Sequence, residues 1–192
     1  MTLLILGLIL FLGMHSVRVF ADGWRTRMIE RLGPMPWKAI YALISLIGLV
    51  LVVWGFGQAR LHPTLLYAPP AMLRHLNSLF TLIAFILFAA AYVPSNHFKA
   101  RLGHPMLLGA KVWAFGHLLA IGFLRDVVLF GAFLAWAIVA YMAAKRRDRK
   151  AGVTYPAGTA KGDVITVIAG VIGWAVFAFW LHMALFGVNP MG

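Results

Sequence analysis

Six long apolar stretches constrain this chain more than any other feature of its sequence. A bilayer core about 30 Å thick takes roughly 20 apolar residues at 1.5 Å per residue. Residues 2–21, 39–58, 72–93, 106–123, 127–144 and 164–188 meet or approach that length. The second, fifth and sixth contain no Asp, Glu, Lys or Arg. The other three carry one cation each (Arg18, Arg74 and Lys111), of the kind that snorkels from a helix end to the interface. The expected fold is all-α: a polytopic transmembrane helical bundle of about six spans, forming one domain over residues 1–192.

Composition excludes the main alternatives. The chain is 62% hydrophobic and 11% charged, whereas soluble domains run at about 45–50% apolar and 25% charged. It has no cysteine, which removes disulfide frameworks, Cys-ligated zinc or iron–sulfur sites, and thiolate-ligated haem. The formal net charge of +12 sorts by loop. With the N-terminus outside, twelve of the 17 Lys and Arg residues fall in loops one, three and five, against Arg60 and Arg125 on the opposite side. This positive-inside pattern predicts a multi-pass protein of the bacterial inner membrane with both termini periplasmic. The excess of cations therefore reads as topology, with the lipid bilayer as partner and no nucleic acid.

The connections carry their own signals. Residues 25–32 suit a short amphipathic interfacial helix stopped by Gly33-Pro34. Leu124-Arg125-Asp126 reads as a tight hairpin between the fourth and fifth spans, and residues 145–162 as a flexible surface loop. Val19-Phe20-Ala21 before Asp22 resembles a leader cleavage site. No basic segment precedes the apolar run, however, and Arg18 interrupts it, so the stretch reads as a span.

Chemistry is concentrated in histidine. Seven histidines accompany only five acids, and those acids lie at or outside the span ends, which leaves no membrane proton relay or carboxylate dyad. His62, His75 and His182 fall toward the periplasmic ends, and His97 and His104 beside the third loop. His15 and His117 are placed inside the hydrocarbon region, where an imidazole needs a hydrogen bond, a carboxylate or a metal. His15 lies roughly 10 Å and His117 roughly 18 Å from the cytoplasmic end of their spans, an offset of about 8 Å. The pair could face one planar cofactor or serve as hydrogen-bonded helix glue. His117 shares a helical stripe with Ala110, Trp113 and Ala114, leaving room for a flat ligand or for close helix packing. Arg18 and Lys111 lie on the cytoplasmic side of the two histidines, where they would meet the carboxylates of a haem or simply snorkel. His104, before Pro105, reads as a capping or interfacial residue.

The run HPMLLGAKVWAFGHLL at residues 104–119 resembles the hallmark segment of the NnrU family, bacterial membrane proteins linked to denitrification and related to zeta-carotene isomerase. The matching positions are His104, Gly109, Trp113 and His117, and Ile121-Gly122 continues the match. His15-Ser16 is similar to the family's early His-Ser. Arg25, Leu32-Gly33, Trp37-Lys38, Tyr41 and Ser45-Leu46 also fit. The isomerase holds haem b through its early His and the second His of the Trp-x-x-x-His segment. The resemblance thus implies His15 and His117 as metal ligands, with Trp113, Arg18 and Lys111 around the cofactor. Two departures weaken transfer of the isomerase activity itself: Ala114 stands where the isomerase has a cysteine, and Phe123 where the family has Asn.

Three functions follow as expectations. The first is a haem b membrane protein with a redox or denitrification-linked role. The second is a haem-dependent cis/trans isomerase of a polyene or other lipid-soluble substrate. The third is a non-catalytic assembly subunit for respiratory or denitrification proteins.

Overall fold

The structure is a computed structural model and describes residues 1–190. It is all-helical, as expected. The helices are α1 (Thr2–Phe20), α2 (Asp22–Leu32), α3 (Pro34–Arg60), α4 (Ala71–Tyr92), α5 (His97–Leu102), α6 (Pro105–Ala120), α7 (Leu124–Ala151) and α8 (Ala160–Val176). A π-helical turn, Phe177–Leu181, carries α8 into α9 (His182–Phe186).

The long helices pack as a row, α3–α1–α7–α6–α4–α8, with each touching the next. Among the described residues α1 and α6 do not pack on one another; α7 joins them. At one end the row curls back, where Arg60 donates to the Phe186 carbonyl at 2.6 Å. Leu4, Leu8 and Leu12 of α1 and Val52 of α3 form the buried core, flanked by Phe133 and Trp136 of α7. Much of the remaining apolar surface lies outside, such as Leu46, Val53 and Trp54 of α3, each more than half exposed. Such surface is stable against lipid, not water.

Close approach of α1 and α3 depends on glycine. A Cβ on Gly55 would stand 2.2 Å from the Leu4 backbone nitrogen, and one on Gly48 would stand 2.6 Å from that of Phe11. Small residues allow such contact between membrane helices, where dispersion replaces the hydrophobic effect as the associating force.

Among the described residues, five helices are long and apolar enough to cross a bilayer. The fourth expected span, 106–123, forms a helix shorter than its apolar run. It is helical only over Pro105–Ala120, 16 residues or about 24 Å. Ile121 is extended, and the Leu124 amide bonds to the Thr64 carbonyl at 2.8 Å, so residues 121–123 pair with the segment before α4. The hairpin break therefore lies at 121–123. Leu124-Arg125-Asp126 instead begins α7, where an acid in the first turn suits the helix dipole.

The expected loop 145–162 is also corrected. Its charged half is helical, because Lys and Arg are good helix formers and favour a C-terminal turn. The helix stops at Gly152, whose φ of +61° closes it. The amphipathic segment 25–32 lies within α2, which ends at Gly33 with φ +86°.

Candidate functional site

His15 and His117 are built alike. In each, the ring Nδ1 lies against the carbonyl four residues earlier: Phe11 at 2.7 Å for His15, and Trp113 at 2.8 Å for His117. A carbonyl only accepts, so Nδ1 carries the proton and Nε2 presents a bare lone pair. Neither Nε2 has a hydrogen-bond partner among the described residues. Metal-binding histidines commonly have this form, with one ring nitrogen anchored to a backbone carbonyl and the other free to ligate.

The two rings stand on opposite sides of an aromatic strip. His117 stacks on Phe130, with centroids 4.4 Å apart and planes 22° from parallel. Trp113 meets His117, Phe130 and Phe133 at 5.3, 5.0 and 5.5 Å. Phe133 of α7 also touches Phe11 of α1 at 5.9 Å, and Phe11 lies 4.3 Å from the His15 ring. The His15 ring further meets Tyr41 at 5.3 Å and the edge of Trp136 at 6.0 Å. Phe133 thus spans the gap between α1 and α6. Phe130 and Trp136, which touch His117 and His15 respectively, are six residues apart along α7, a rise of about 9 Å.

A cleft of about 430 Å³ opens beside His15 between α1, α2 and α3. Arg18, Arg25 and Lys38 line it with Trp37 and Tyr41. The Trp136 indole N–H, beside His15 but outside the cleft lining, is buried without a hydrogen-bond partner among the described residues. Three cations, aromatic walls and a bare imidazole nitrogen fit a planar, apolar-faced, anionic group such as haem b.

The expected site residues divide between the two sides. His15 and Arg18 line the cleft; Trp113 and His117 lie across Phe133. Lys111 is apart from both, its Nζ 5.1 Å over the Tyr141 ring. Ala114 is fully buried, and the α6 glycines 109 and 116 face α4, so the small residues of α6 serve helix packing. Among the described residues, no group of three or more His, Asp or Glu side chains is placed to hold a metal ion.

Sequence reasoning missed Phe130, Phe133 and Trp136. Their spacing of three along α7 was a visible signal for an aromatic stripe. It also left unrecognised a cluster in which His104 Nε2 lies 2.7 Å from an Asp148 oxygen that also accepts from the Tyr155 hydroxyl. His104 precedes α6 without capping it through its side chain.

No curated protein and no solved structure matches the chain. The family described as NnrU protein has a model that matches residues 3–190, and the chain belongs to that family.

Proposed function

We propose that this multi-pass membrane protein binds haem b through His15 and His117 and has a redox role linked to denitrification. One observation carries the reading: both imidazoles are fixed through Nδ1 to a carbonyl and offer Nε2 unprotonated. Arg18, Arg25 and Lys38 would hold the propionates. When bound, haem would supply one-electron redox chemistry, with His15 and His117 as the residues that would hold its iron. The charge bias of the loops supports a bacterial inner-membrane location with both termini periplasmic.

A second reading, ligation by His15 alone, is favoured by the cleft, which His15 lines and His117 does not. Absorption spectra of detergent-purified protein, oxidised and reduced, test both. Bis-His ligation predicts a Soret band and split reduced α and β bands, with His15→Ala and His117→Ala each altering the spectrum and His104→Ala leaving it unchanged. His15 ligation predicts loss in His15→Ala alone. A colourless protein from haem-replete cells, with no spectral change on titrating hemin, overturns both readings.

A further inference from the structure

A second and larger cleft, about 770 Å³, lies between α1 and the far half of α7. Its cations are Arg18 of α1 and Lys145, Arg146, Arg147, Arg149 and Lys150 of α7. Arg147 reaches across from α7 to the Arg18 carbonyl at 3.4 Å. None of the six has a carboxylate within ion-pair distance among the described residues. The one acid in the lining, Asp22, pairs with Arg25 at 3.4 Å. The one acid in the α7 run, Asp148, is held by His104 and Tyr155 outside this lining. The cleft therefore carries a net excess of positive charge.

The same cleft is apolar toward the bundle's middle. Val139 and Met142 line it and are 39% and 62% exposed. With 28 residues, α7 is about 42 Å long, well beyond a hydrocarbon core of about 30 Å. Its charged last turns thus stand at headgroup level while Val139 and Met142 lie lower. A topological excess of cations needs only the right side of the membrane. Here the cations share one cleft that grades from guanidinium to hydrocarbon-facing side chains.

We propose that this cleft binds an anionic phospholipid, with the phosphate among Arg18 and the α7 cations and an acyl chain along Val139 and Met142. Clusters of basic residues beside membrane helices favour anionic headgroups, and guanidinium groups match phosphate oxygens in pairs. The proposal shares Arg18 with the haem reading but rests on the α7 cations, which line this cleft and not the one beside His15.

Native mass spectrometry of the full chain, released from an equimolar phosphatidylglycerol and phosphatidylcholine mixture, tests it. The wild-type protein should retain the anionic lipid. Arg18→Gln and Arg149→Gln should each lower that preference about fivefold. Arg31→Gln and Lys161→Gln remove exposed cations outside the cleft and should leave it unchanged. Equal retention of the two lipids overturns the proposal, as does an equal loss from the Arg31 and Lys161 variants, which would indicate bulk charge. Displacement of the lipid by millimolar inorganic phosphate would also overturn it, assigning the site to a soluble anion. Thermal unfolding of each variant in phosphatidylcholine alone provides the folding control, and a variant that unfolds early there is replaced by the charge-conserving Arg→Lys form, which should restore lipid retention.

Discussion

The imidazole of His117 lies flat on the ring of Phe130, centroids 4.4 Å apart. One face of the proposed ligand is thereby held by α7, while Trp113 holds its Nδ1 from within α6. Phe130→Leu keeps most of the volume and removes the stacking plane. A stacked pair contributes about 0.5–1.5 kcal/mol beyond area burial, so haem affinity should weaken roughly two- to tenfold. Hemin titration followed at the Soret band measures this; an affinity unchanged by Phe130→Leu would show that the ring does not position His117.

The relative depth of His15 and His117 was legible in the sequence because depth follows from counting along a helix. An expected offset of about 8 Å between His15 and His117 agrees with the rise of about 9 Å between their α7 contacts, Trp136 and Phe130. What counting cannot give is which helix stands between two others. Phe133 separates the two histidines only because α7 packs between α1 and α6. The helical charge run after Ala144 was hidden for a different reason: hydropathy reports the end of the apolar run, not the end of the helix. His97 with Asp163 and His104 with Asp148 were hidden by distance, since 66 and 44 residues separate the partners.

Gly55 lets α1 and α3 meet at Leu4, and Gly57 faces open space. Gly55→Ala should destabilise the bundle by about 1–3 kcal/mol, because backbone atoms of Leu3 and Leu4 cannot yield as a side-chain tip can. Gly57→Ala should be neutral or slightly stabilising, since alanine is the better helix former. Thermal unfolding in one detergent compares them. Equal midpoints for the two variants would show that the close crossing contributes nothing.

Tyr155 joins the loop after α7 to Asp148 and His104. Burial, then the hydrogen bond to Asp148, pushes its phenol up to about 12, against about 10 for a free tyrosine. The neutral phenol is the form the fold prefers. Its stabilising contribution is fully present below about pH 10 and is lost as pH rises toward about 12. Tyr155→Phe should therefore lower the unfolding midpoint at pH 8–10 and converge on the wild type at higher pH. A gap between them that stayed constant through about pH 12 would contradict this linkage.

Gly122, in the Ile-Gly pair after the His117 segment, has a packing reason to be glycine. A Cβ there would stand 1.8 Å from the Tyr67 carbonyl oxygen. The Leu66 and Tyr67 amides both donate to the Gly122 carbonyl, at 2.8 and 3.3 Å. The Tyr67 hydroxyl shares its one proton between the carbonyls of Leu118 and Ile121. This strap closes the end of α6 one turn beyond His117, where the Ile121 amide bonds to the His117 carbonyl. Gly122→Ala should push the strap away, so that hydrogen exchange quickens at the amides of Leu66, Tyr67 and Leu124 and the last turn of α6 frays. Tyr67→Phe removes only the side-chain bonds, a net loss of about 0.5–1.5 kcal/mol for a typical hydrogen bond, and should leave the Leu66 amide protected. If fraying reaches His117, Gly122→Ala should weaken haem retention more than Tyr67→Phe does. Unchanged protection at Leu66 and Leu124 in Gly122→Ala would show that the strap does not hold the end of α6.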